Sequence, residues 1–211
     1  LFALIRINAL RLARRYAAAK PGRGHHPVTA TRHSIVIQLL HWSIALGILS
    51  SYIMGLVMED LPRGAPRNLM TMLHVSLGLL GVALTVLLAL WRLVIPGLPP
   101  LEGGVAMQRL ASLGHGALYA AMLAVPLLGL AMMWELGREV SVFGLFTLPS
   151  PLIADRVLGR QMEGLHEFGA HALLALAGLH AAAALFHQFV LRDGGLQRML
   201  PATGPLRFPR A

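Results

Sequence analysis

Residues 168–191, FGAHALLALAGLHAAAALFHQFVL, run for 24 positions without an Asp, Glu, Lys or Arg, yet they hold three histidines. A helix crosses a hydrocarbon core in about 20 residues, so the stretch is long enough to span a bilayer. The histidines are the anomaly, because an imidazole at membrane depth leaves two polar nitrogens to satisfy. His166 extends the pattern outward: His166, Leu173, His180 and His187 stand seven apart. Each step of seven drifts only about 20° from two full turns, so the four side chains share one stripe, expected to face other helices.

Three further windows lack all four charged residue types: 34–58, 68–91 and 110–134, with 25, 24 and 25 residues. Across 211 residues the chain is 56% apolar and carries only 18 basic and 9 acidic residues, too little charge to cover a soluble domain of this size. The expected fold class is therefore all-α, an integral membrane four-helix bundle. With no cysteine, disulfides, iron–sulfur clusters, thiolate nucleophiles and covalent heme attachment through C-x-x-C-H are excluded. No nucleic acid partner is expected either. In so apolar a chain the net charge of +9 reports orientation in membrane lipid.

Four spans put both termini and the central loop on one side of the membrane. That side holds 13 of the 18 basic residues, but only Glu102 and Asp193 of the nine acidic ones. The other side has Arg63, Arg67, Arg138, Arg156 and Arg160 against seven carboxylates. By the positive-inside rule both termini are expected to be cytoplasmic.

The chain divides into a basic, flexible N-terminal extension over 1–33, the four-helix domain over 34–201 and a C-terminal tail over 202–211. A surface helix resting Arg11, Arg14 and Arg15 on anionic lipid is a second reading of the extension. Residues 140–154 are apolar but short, and Pro149 and Pro151 interrupt them. They are read as an outer cap at the interface, with Phe143 and Phe146 turned to lipid or bundle. Pro126, inside the third span, frees a backbone carbonyl.

Ionisable residues at membrane depth are expensive and usually functional. His41 lies about 10 Å inside the inner end of span one, and His74 about 10 Å inside the outer end of span two. Two donors on span four thus face donors on two other helices. Paired neutral imidazoles suit a six-coordinate heme b, whereas zinc or di-iron would call for Cys, Asp or Glu, which the spans lack. By depth alone His41 matches His187 slightly better than His180, and His74 lies between His166 and His180. Using both His180 and His187 would bring the metals within about 10 Å, and using both His166 and His187 would part them by about 31 Å. Pairing His74 with His166 and His41 with His180 avoids both. His171, about 140° off the stripe, is expected to bond between helices. His115 is left open between packing and a quinone contact. His187, near Arg192, is a candidate donor to a quinone carbonyl, and His25, His26 and His33 are read as solvated tail residues.

The stretches His41-Trp42, MLHVS at 72–76, GLHAAAA at 178–184, Arg192-Asp193 and RMLP at 198–201 resemble the bacterial cytochrome b561 family, and within it the diheme superoxide oxidases. The resemblance covers about residues 31 to 201. It implies two b hemes held by His41, His74, His166 and His180, a ubiquinone site, and one-electron transfer across the bacterial inner membrane. Superoxide would be the substrate, drawn in by Arg138, Arg156 and Arg160, and ubiquinone the acceptor. A second reading is an electron-transfer subunit linking quinone to a redox partner subunit, a dehydrogenase or hydrogenase. A third is a heme-free transporter with a histidine proton relay.

Overall fold

The computed structural model describes residues 32–95, 98–99 and 104–201. Both readings of the N-terminal extension over 1–31, and the tail over 202–211, lie outside them. Four helices dominate: α1 Ile35–Asp60, α2 Ala65–Val94, α3 Val105–Glu135 and α4 Arg156–Phe186. All four are long and apolar enough to cross a membrane. Their outward faces carry Leu39, Leu46, Leu87, Leu90 and Leu179, apolar side chains left exposed because their solvent is lipid.

Local chemistry sets the helix starts. Ser34 caps α1, its hydroxyl accepting from the Ile37 amide. Gly64, at φ 135°, turns the chain into α2, where Pro66 occupies a first-turn position needing no amide donor. Asp155 caps α4 by accepting from the Val157 and Leu158 amides at 2.9 and 3.2 Å. That cap starts α4 twelve residues ahead of the charge-free window, and the added turns carry Arg156, Arg160, Glu163 and Glu167.

The helices do not pack evenly. α1 lies closely on α2, and α3 on α4, with α2 and α3 joining the two pairs. α1 meets α4 in few places, and α2 meets α4 in fewer still. A small core at the end of the bundle where residues 32–35 and 196–201 lie, labelled inner from the orientation expected above, gathers Ile37, Leu40 and Ile44 of α1, Leu88 of α2 and Tyr119 of α3.

The expected bundle is present, with one addition. Residues 140–154 contain an antiparallel hairpin, β1 Val140–Val142 and β2 Phe146–Leu148, with Val140 opposite Leu148. Its tight turn places Phe143 at φ 51° and Gly144 at φ 72°, the pair of positive angles that suits a twisted hairpin. Phe143 tolerates this because Ser76 of α2, fully buried, accepts its amide at 2.8 Å while donating to the Met72 carbonyl at 2.7 Å.

At the inner end α4 widens into a π turn, His187–Leu191, followed by a 3-10 turn, Leu196–Met199. This final segment is lashed across the bundle. Trp42 donates to the Met199 carbonyl at 2.9 Å, the His33 amide to Arg198 at 2.9 Å, Arg32 to Pro201 at 2.7 Å, and Arg198 to Pro99 at 2.6 Å. His33, expected to be a solvated tail residue, is instead half-buried beneath this strap. Burial, with the Arg92 and Arg198 guanidiniums beside it, pushes its pKa down to about 4.

Candidate functional site

The outer half of the bundle brings His74 of α2 and His166 of α4 to a ring-centroid separation of 6.0 Å, with planes at 81°. Each ring is held the same way. Nδ1 of His74 lies 2.8 Å from the Ser51 carbonyl, and Nδ1 of His166 lies 2.9 Å from the Val125 carbonyl. A carbonyl only accepts, so both Nδ1 atoms carry the proton and both Nε2 lone pairs are left for a metal. Four residues beyond each carbonyl stands a glycine. A Cβ at Gly129 would fall 2.7 Å from the His166 ring, and one at Gly55 would fall 3.4 Å from the His74 ring. The imidazoles occupy space that a side chain would fill.

The inner half joins His41 of α1 to His180 of α4, with centroids 6.2 Å apart and planes at 61°. Trp42 sets its ring edge against His41 at 5.3 Å. A third imidazole, His115 of α3, stands 5.3 Å from His180, and its Nδ1 donates to the Ala111 carbonyl at 2.7 Å.

These separations have a direct chemical reading. Two imidazole nitrogens each about 2 Å from one metal, with each ring centre about 1 Å behind its nitrogen, give centroids about 6 Å apart. Both pairs match. Among the described residues no three His, Cys, Asp or Glu side chains gather as a bare metal ion would require. Two protein donors per site therefore fit a metal whose other positions come from a macrocycle. Each pair also bridges helices that scarcely pack, α2 with α4 and α1 with α4, where a flat ring system has room. His166 and His180 are 14 residues apart on one helix, about 21 Å, enough for two such groups.

The remaining candidates separate. His171 accepts from or donates to the Tyr52 hydroxyl of α1 at 2.9 Å, the interhelical bond its position off the stripe implies. His187 pairs through Nδ1 with the Asp193 carboxylate, leaving Nε2 free, and Asp193 also accepts from the Gly195 amide at 2.9 Å. Arg192, exposed, takes the left-handed conformation at φ 54° that turns the chain into the strap. The three outer arginines do not converge. Arg138 lines a groove of about 330 Å³ with Trp134, Glu139, Thr147 and Ser150, whereas Arg156 and Arg160 do not. Arg160 donates to Glu163 at 2.7 Å on the exposed surface, so its charge is matched locally.

Two residues of the inner site went unrecognised in the sequence. His115 was read without its partner, although it lies about 15 Å into α3, a depth that matches the inner pair. Arg92, half-buried near the inner end of α2, lies beside His33 under the strap.

Comparison with known proteins bears on the same residues. Residues 32–202 match the family described as prokaryotic cytochrome b561. The chain is 33% identical over 180 residues to "Cytochrome b561 homolog 2" of Escherichia coli (strain K12), covering 82% of this chain and 93% of that one. It is 30% identical over 167 residues to "Probable superoxide oxidase CybB" of Yersinia pestis, covering 77% and 92%. It is 34% identical over 166 residues to "Cytochrome b562" of Cereibacter sphaeroides, covering 76% and 90%. Four spanning helices, imidazole pairs between them and a match over the whole bundle lead to one conclusion: this multi-pass bacterial membrane protein belongs to the prokaryotic cytochrome b561 family, whose members carry electrons on b-type heme.

Proposed function

We propose that the protein holds two b hemes in the inner membrane, with both termini cytoplasmic, and passes electrons from superoxide outside to ubiquinone inside. The observation carrying the diheme reading is the pair of imidazole couples, each at the separation one metal would impose. His74 and His166 would hold the outer heme, and His41 and His180 the inner one. Bound heme supplies reversible one-electron chemistry.

The chain's own groups supply orientation, charge and protons. The Ser51 and Val125 carbonyls hold the Nδ1 protons of the outer imidazoles and make Nε2 the better donor. Arg138, on the rim of the outer groove, attracts the anion. This single charge works against an outer face that carries more carboxylates than arginines. At the inner face His187, with both ring nitrogens protonated, would donate Nδ1–H to Asp193 and Nε2–H to a quinone carbonyl, with Arg192 at the same turn. Two superoxide anions each lose one electron and leave as O2, while ubiquinone takes up two electrons and two cytoplasmic protons to become ubiquinol. The superoxide step draws support from the relative named as a superoxide oxidase.

The test is electron delivery. Purified protein given superoxide pulses and ubiquinone should form ubiquinol, and a superoxide scavenger should abolish it. Quinone turnover that persists with the scavenger and requires an added dehydrogenase or hydrogenase would instead establish the partner-linked reading.

A further inference from the structure

The groove at the outer end is bordered by two donors that the fold leaves unused. Trp134, in the last turn of α3, and Arg138, just beyond it, both line the groove. The chain leaves the helix at Gly137, with φ 68°, and the amides of Leu136, Gly137 and Arg138 turn back to the carbonyls of Met132, Trp134 and Met133 at 2.9 Å each. The helix end thus satisfies its own backbone. Its side chains fare differently. The Trp134 Nε1–H is buried without an acceptor, a costly state for a donor unless something enters to accept from it. Arg138 is exposed and makes no ion pair among the described residues. Of the other polar groups around the groove, the Ser150 hydroxyl is committed to the Leu152 carbonyl and amide, and Glu139 is a carboxylate. Trp91 keeps an N–H in the same condition as Trp134, but it packs on the apolar inner core, whereas Trp134 borders an opening. That opening is close to the outer couple. Gly129, against the His166 ring, stands five residues before Trp134, so the groove begins about 8 Å outward of the couple along α3.

We infer that the groove seats a small monoanion of oxygen, with the Trp134 indole N–H donating to one oxygen and the Arg138 guanidinium facing the charge. The identity of the ion as superoxide rests on the function proposed above, while the seat rests on the groove alone. Superoxide suits these donors because its two oxygens accept hydrogen bonds and share one negative charge, which strengthens each bond. The negative pole of the α3 dipole lies at this end, so the guanidinium is needed to hold an anion there. Glu139, on the same groove, repels further negative charge, so a monoanion is favoured over a dianion. The step at this seat moves one electron and no proton: superoxide gives its electron to the oxidised outer heme and becomes O2. Dioxygen carries no charge, so both attractions fall away with the electron and the product leaves.

The test has one arm for the seat and one for its occupant. Nitrite, a stable monoanion with two oxygens, is titrated into full-length, oxidised, heme-loaded protein labelled with 15N-tryptophan. The indole N–H signal of Trp134, identified by its absence from Trp134→Phe, should move to saturation, while the indole signals of Trp42 and Trp91 stay in place. Arg138→Gln should weaken nitrite binding about tenfold, the scale of a lost charge-assisted hydrogen bond. Arg138→Lys should restore part of it, and Glu139→Gln should tighten binding. In the second arm superoxide pulses reduce the heme. Trp134→Phe should slow that reduction about tenfold with its salt dependence unchanged, and Arg138→Gln should lower both the rate and the salt dependence. A Trp134 signal that nitrite does not move, or an Arg138→Gln titration equal to wild type, would overturn the seat. Superoxide that fails to reduce wild-type protein whose Trp134 signal still titrates would support the seat and overturn the superoxide reading.

Discussion

The two imidazole couples share α4, where His166 and His180 stand 14 residues apart, but the chain builds them by different means. At the outer couple the control is steric and local: a carbonyl fixes each Nδ1, and the glycine four residues later makes room for the ring. At the inner couple the surroundings are side chains from several segments: a third imidazole stands against His180, the Trp42 ring against His41, and Trp42 and Arg198 tie the strap across the end. The outer site is specified by backbone geometry and the inner one by side-chain contacts. Substitutions that add a methyl group should therefore hurt the outer site most, and those that remove a contact should act at the inner end.

Gly129→Ala is the largest expected effect. Its Cβ would meet His166 at 2.7 Å, a clash worth about 1–3 kcal/mol that only displacement of the ring can relieve. Purified protein should lose most of its outer heme and keep its inner one, as read by redox difference spectra. Gly55→Ala sharpens the comparison, because the contact there is an ordinary 3.4 Å. Its outer heme should stay bound, with a stability cost below about 1 kcal/mol. If both alanine variants behave alike, the steric account of the outer site is wrong.

Tyr52→Phe removes the hydrogen bond to His171 between α1 and α4. A thermal melt in detergent should show a loss of about 1 kcal/mol or less, with heme content unchanged.

The smallest effect at neutral pH lies at the inner strap, and it grows as pH falls. His33 is held down to about 4 in the folded protein, against about 6.5 in an unfolded chain. Its depressed pKa means that the stability it contributes is complete above pH 6.5 and is lost as pH falls towards 4. His33→Asn should flatten the melting temperature between pH 7 and 4 relative to wild type. An unchanged slope would show that the strap does not bury this imidazole.

Much of this architecture is legible in sequence because lipid imposes a simple rule. Charge is expelled for 24 or 25 residues at a time, and apart from the capping Ser34 the four charge-free windows fall inside the four helices and, at the inner end of the last, the π turn. The seven-residue spacing from His166 to His187 likewise marks the bundle-facing side of α4, where Leu173 is buried. What was hidden depends on other physics. The first twelve residues of α4 project beyond the apolar zone, so their arginines and glutamates read as loop, and only the Asp155 cap marks the helix start. The strap is held by side-chain and amide donors to distant carbonyls, and carbonyls leave no trace in residue type. His115 and Arg92 were visible as residues, but not as neighbours, because depth along separate helices says nothing about rotation around them. The hairpin at 140–148 was foreseen as a cap, and its β form follows from the valines, the Gly144 turn and the prolines beyond.

The central claim is that each couple grips one heme. The most direct measurement is the heme-to-protein ratio of purified wild type, His74→Ala and His180→Ala. The account predicts about two, one and one. Colourless wild type, or two hemes retained in both variants, would contradict it.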